Sequence, residues 1–191
     1  MNRPVHHTIY SLPEGQDARF LAEKARDAAR QKNRVMHIAL DDVRVAALAE
    51  CLAFFAPDVE VLVFPAWDCL PYDRVSPHAD IVAQRVAALS VMLEWASDGL
   101  FKPRLILTSV NAVMQRVMPP ESLVAAQLVA KKGGTLPRAD LQYFLARNGY
   151  MRTDTVREAG EFAIRGDIID IFPPMYDMPV RMDVFGDEIE S

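Results

Sequence analysis

The sequence predicts an α/β protein: a doubly wound parallel sheet with helices on both faces, followed by a smaller α+β unit. Three observations carry this. The runs RVMHIAL (34–40), VEVLVFP (59–65) and RLILTSV (104–110) are short and nearly continuously apolar, the pattern of strands covered on both faces. Segments of helical periodicity separate them, which is the alternation a parallel sheet requires. After MPPES (118–122) the character changes and strand-like stretches dominate.

Each element has its own signal. In QDARFLAEKARDAARQK (16–32), Phe20, Leu21, Ala25 and Ala28/Ala29 recur at helical spacing with charges between them. DDVRVAALAECLAFF (41–55) reads as a second helix, with Asp41 or Asp42 as its N-cap. SPHADIVAQRVAALSVMLEWA (76–96) reads as a long third helix, with Ser76 as N-cap, Pro77 at the first helical position and Asp80 in the first turn. NAVMQRV (111–117) opens a short helix capped by Asn111. In the second region PRADLQYFLARNG (137–149) places Leu141, Phe144 and Leu145 on one face, with Gly149 as the stop. SLVAAQLVAKKG, EFAIRGDIIDIF and VRMDVF read as strands. The boundary falls near residue 120, giving 1–120 and 121–191.

The chain carries a net charge of −5, so it has no overall basic footprint for nucleic acid. Two cysteines, Cys51 and Cys69, make no disulfide framework and fit a reducing cytoplasm. The opening MNRPVHHTIY has no apolar core of a signal peptide, and no stretch approaches the ~18 apolar residues of a membrane span. Strand-like residues running almost to GDEIES predict a piece cut from a longer protein.

A phosphate loop needs glycines whose N–H groups face phosphate oxygens, together with a lysine and a hydroxyl. None of the eight glycines lies in such a pattern. The first expected strand-to-helix turn, SLPEGQDARF (11–20), has one glycine, no lysine and two acids that would repel phosphate. The loop FPAWDCLPYDRVSPHAD (64–80) gathers Cys69, His78 and Asp80, a conceivable nucleophile set. It reads better as scaffold: Pro65, Pro71 and Pro77 fix the backbone, Trp67 and Tyr72 pack it down, and Asp80 serves the helix dipole. His37 with Asp41 and Asp42 reads as an interior histidine beside a cap rather than a metal site. His6 and His7 read as a mobile terminus, and Lys131–Gly134 as a solvated hairpin tip.

The carboxy-terminal strands differ. Alternation in VRMDVF sets Val180, Met182 and Val184 on a buried face and Arg181, Asp183 and Phe185 on the other. In EFAIRGDI it sets Phe162 and Ile164 against Glu161, Ala163, Arg165 and Asp167. If these strands pair, Arg165, Arg181 and Phe185 share one exposed patch. Arginines and aromatics of this kind dominate interface hot spots. The competing reading has Phe185 tucked under the GDE turn and both arginines in surface ion pairs.

FPAWDCLPYDRVSPHADIVAQRVAAL, LTSVNAVMQRVMPP, LVAKKGGTLPRADLQYFLARNGY and EFAIRGDIIDIFPP…PVRMDVFGDEIES resemble, in order, the amino-terminal region of the bacterial transcription-repair coupling factors. That resemblance implies a fragment of an ATP-dependent DNA translocase that displaces RNA polymerase stalled at lesions and recruits excision repair. It implies a degenerate helicase-like domain at 1–120, like the first domain of the repair subunit UvrB but without its phosphate loop. It further implies a small inserted α+β domain at 121–191 that binds UvrA, truncated at its C-terminus. Arg165, Arg181 and Phe185 match the family's UvrA-facing residues. Ile164 and Asp167 depart from the pattern, and Asp167 would set an extra carboxylate beside Arg165. The fragment would be catalytically inert and without a cofactor. ATP with magnesium, RNA polymerase and double-stranded DNA would engage other parts of the parent. The alternative reading is a domain retaining a nonstandard nucleotide- or DNA-binding site.

Overall fold

The computed structural model describes residues 7–13, 15–69, 74–99, 101–174, 176 and 178–191, apart from the side chain of Ala79. The expectations for His6, Glu14, Pro71 and Tyr72 fall outside them. The chain divides into two compact units, Met1–Pro77 with Val91–Val117, and His78–Ser90 with Met118–Ser191.

In the first unit, β1 (Val35–Ala39), β2 (Glu60–Phe64) and β3 (Arg104–Ser109) form a parallel sheet in the order β1-β3-β2. The central strand β3 is buried at every position, as expected for the middle of such a sheet. Helices α1 (Gln16–Arg30) and α2 (Asp42–Phe55) share one face of it. Ala18, Leu21, Ala22 and Ala25 of α1 meet Val45, Leu48 and Leu52 of α2 over Leu105 and Leu107. Small residues on α1 bring its backbone close, and the core is continuous. Helices therefore do not cover both faces evenly. On the other face Trp95, near the end of α3 (Ala79–Ser97), is buried, while Met36 and Ile38 remain 51% and 48% exposed.

Four local expectations are corrected. No strand precedes α1 among the described residues, so residues 11–20 are not a strand-to-helix turn; Gly15, at φ 80°, precedes the first helical residue. α3 begins at Ala79, and the His78 carbonyl accepts from Ile81 and Val82, so Ser76 and Pro77 stand before the helix. The cap of α4 (Val110–Val113) is Ser109, whose Oγ accepts from the Ala112 N–H at 3.3 Å, two residues before the expected Asn111. Residues 120–125 are a helix, α5 (Pro120–Ala125), rather than a strand. Pro120 at its first position and Glu121 in its first turn are helix-start signals, and only Leu123 is buried. Asp41 does cap α2, accepting from Arg44 N–H at 2.8 Å.

The second unit carries α6 (Arg138–Arg147) and a five-stranded sheet in the order β4-β5-β6-β7-β8. Its strands are β4 (Met151–Arg152), β5 (Glu161–Arg165), β6 (Ile168–Ile171), β7 (Val180–Phe185) and β8 (Glu188–Ile189). β4 joins β5 in parallel and the remaining neighbours pair antiparallel. Leu141 and Leu145 of α6 pack on Phe162, Ile169, Ile171, Met182, Val184 and Ile189. Of the period-two residues expected inside, Phe162, Met182 and Val184 are buried, Ile164 is half-buried against the same core and Val180 is 37% exposed, while Ala163, expected outside, is buried. Lys131 and Lys132 are exposed, and the Gly133–Thr135 backbone bonds to β8.

An arginine–aromatic face as the candidate partner-binding site

The outer face of the second sheet is built by register. Asp170 on the central strand β6 lies across from Ala163 on β5 and from Arg181 on β7. One row on, Arg165 lies across from Ile168, which faces Asp183. Phe185 follows on β7, across from Glu188. β5 and β7 therefore do not pair with each other; β6 lies between them and contributes a carboxylate to the face.

Two tight turns hold these rows in register. Arg165 and Ile168 flank Gly166–Asp167, and Phe185 and Glu188 flank Gly186–Asp187. Gly166 and Gly186 have φ of 60° and 64°, while the aspartates that follow stay at negative φ. A two-residue hairpin loop with positive φ at its first position calls for glycine there.

Asp170 joins the two arginines. It is only 8% exposed. Its Oδ1 accepts from Arg181 Nε at 2.7 Å, and its Oδ2 accepts from Arg181 Nη2 at 3.0 Å and from Arg165 Nη2 at 2.6 Å. Arg181 thus grips the carboxylate with two parallel bonds, the geometry that a planar guanidinium favours. The Arg181 hydrogen bonds hold the Asp170 carboxyl below the ordinary aspartate range, with Arg165 adding to them and burial opposing. The same contact raises Arg181. Both arginine side chains keep more than half of their surface in solvent. Phe185 is 74% exposed and does not tuck under its turn. Asp167 accepts from Arg138 at 3.3 Å, so the carboxylate that the sequence places beside Arg165 is bonded elsewhere.

His78 and Asp80 are exposed and Cys69 is half-buried. Trp67 is half-buried, and its N–H donates to Gln115 Oε1 at 3.0 Å. His37 is half-buried, and burial lowers its pKa. No three His, Cys, Asp or Glu side chains cluster as metal ligands among the described residues. In residues 11–20, Asp17 takes Arg44 as its partner and caps its own neighbour's N–H. No helix among the described residues is long and apolar enough to cross a membrane.

Residues 128–191 match the family model of the UvrB interaction domain. The matched segment contains β4 to β8, α6 and the whole arginine–aromatic face. The chain is also 33% identical to the transcription-repair-coupling factor of Haemophilus influenzae over 97% of its own length and 15% of the relative's. It is 39% identical to that of Myxococcus xanthus over 99% of its length and 16% of the relative's. The UvrABC system protein B of Vibrio parahaemolyticus is 31% identical over 72% of this chain and 19% of that protein. The chain belongs to the family of the transcription-repair-coupling factors. The expected kinship is borne out, and the chain spans about 15% of the length of the first of these relatives.

Proposed function

We propose that this chain is a docking module that recruits the excision-repair protein UvrA to lesions where RNA polymerase is stalled, through Arg165, Arg181 and Phe185. The observation that carries the reading is Phe185, a large aromatic 74% exposed on the face where two arginines are held by a buried carboxylate. An exposed aromatic with fixed guanidiniums beside it is the composition of an interface hot spot. The residues belong to a UvrB interaction domain, which supports a partner in the excision-repair machinery.

In this reading residues 1–120 are a degenerate helicase-like scaffold and 121–191 the inserted UvrA-binding domain. ATP with magnesium, RNA polymerase and double-stranded DNA belong to other parts of a cytoplasmic parent translocase. In this reading the fragment is catalytically inert, because none of its eight glycines lies in a phosphate-loop pattern. Calorimetric titration of the chain with ATP and magnesium is expected to give no saturable heat; a saturating isotherm would restore the nucleotide-binding alternative.

The main test is binding to purified UvrA. Phe185→Ala is expected to weaken binding about thirtyfold, roughly 2 kcal/mol, as loss of a hot-spot aromatic does. Being so exposed in the free chain, it should leave the melting temperature unchanged. Arg165→Ala and Arg181→Ala should each weaken binding about tenfold or more. Wild type that fails to bind UvrA, or Phe185→Ala that binds like wild type, would sink the proposal.

A further inference from the structure

The arginines of this face are already engaged. Arg181 spends Nε and Nη2 on Asp170, and Arg165 spends Nη2 on the same carboxylate. A free arginine side chain on an exposed strand samples many rotamers, and fixing it at an interface costs conformational entropy. Here one carboxylate from the central strand fixes two at once. Asp170 is mostly shielded while both guanidiniums stay exposed, so the acid lies behind them.

We infer, building on the UvrA-docking reading, that Asp170 is a positioning residue: it pre-orients Arg165 and Arg181 and leaves only their remaining N–H groups for the partner. Arg165 keeps Nε and Nη1, and Arg181 keeps Nη1, as donors without a partner among the described residues. These belong to side chains on strands separated by β6. Both guanidiniums nonetheless converge on Oδ2 of Asp170, so the matching surface carries acidic acceptors set close together over them, beside an apolar hollow for Phe185.

The inference makes a prediction whose sign opposes simple charge counting. Asp170→Asn removes a negative charge from a face that meets acids, so Coulomb attraction alone would tighten binding. Loss of the charge-assisted bonds frees both arginines, and positioning predicts weaker binding, about tenfold. The experiment measures UvrA affinity for the 191-residue chain, Asp170→Asn, Arg165→Ala, Arg181→Ala and the two double variants with Asp170→Asn. If Asp170 acts through the arginines, Asp170→Asn costs much less once an arginine is gone, a coupling that a merely structural role would not give.

Wild type that binds, with Asp170→Asn weakened and coupled to the arginines, supports the inference. Equal or tighter binding by Asp170→Asn, while the arginine variants lose affinity, overturns it and leaves the docking reading standing. Failure of wild type to bind overturns the docking reading itself. Should Asp170→Asn not fold, nuclear magnetic resonance of the wild-type arginine side chains decides. Hindered guanidinium rotation and slow Nε–H exchange at Arg181 are expected, and free rotation at both arginines would refute positioning.

Discussion

Replacing Ile169 by alanine is expected to lower the stability of the UvrB interaction domain by about 3–4 kcal/mol, within the range for truncating a buried isoleucine. Ile169 is 1% exposed. It lies on the central strand, between Ile164 on β5 and Met182 on β7, in the cluster that includes Leu141 and Leu145 of α6. Neighbouring strands on both sides limit how far the site can collapse into the cavity. Hydrogen exchange of the β5, β6 and β7 amides would read the change within this unit alone. A loss below about 1 kcal/mol would mean that the core closes over the gap and that β6 is not its keystone. UvrA affinity measured well below the melting temperature should fall less than in Phe185→Ala, since Ile169 faces away from the patch.

The second large effect concerns the first unit. Arg104 is 4% exposed, and its guanidinium donates Nη1 to Asp98 Oδ1 at 3.1 Å, Nη2 to Asp98 Oδ2 at 2.5 Å and Nε to Glu60 Oε2 at 2.8 Å. Its Cζ lies 4.9 Å from the centre of the Trp95 ring. Asp98 does most to hold the cation charged, with Glu60 assisting and burial opposing. Asp98→Ala leaves a buried cation with one partly exposed carboxylate, and breaking a buried pair in this way costs about 3 kcal/mol or more. Asp98→Asn keeps an acceptor and should cost less. Urea unfolding followed by tryptophan fluorescence would measure both, since Trp67 and Trp95 lie in the first unit. An unchanged midpoint in Asp98→Ala would show that Glu60 and the indole suffice.

How much of this was legible in the sequence depended on whether the deciding contact was local. Strand length and helical spacing located β1, β2, β3 and α2 to within a residue or two, because each pattern repeats inside its own element. Alternation alone put Phe185 and both arginines outward. It passed over Asp170 because that residue is a lone acid among isoleucines in GDIIDIF, and its meaning comes from two strands that flank it only after folding. Its parity with Ile168, opposite to the buried Ile169 and Ile171, was the available signal. The start of α3 was missed because an ideal Ser-Pro entry motif was present and the chain enters the helix after it. Residues 122–133 looked like a strand because apolar runs of that length fit either state, and the Pro-Pro-Glu-Ser entry decided for helix.

The order of strands also bears on how the chain folds. In the second sheet every antiparallel pair joins neighbours in sequence: two-residue turns link β5 to β6 and β7 to β8, and residues 172–179 link β6 to β7. In the first unit β1 meets β3 at Val35 and Leu105, some seventy residues apart. Closing short loops sacrifices little chain entropy, whereas distant parallel pairing must bring far ends together before any contact rewards it. The arginine–aromatic face thus assembles from local steps, and the parallel sheet is the slow part of the chain.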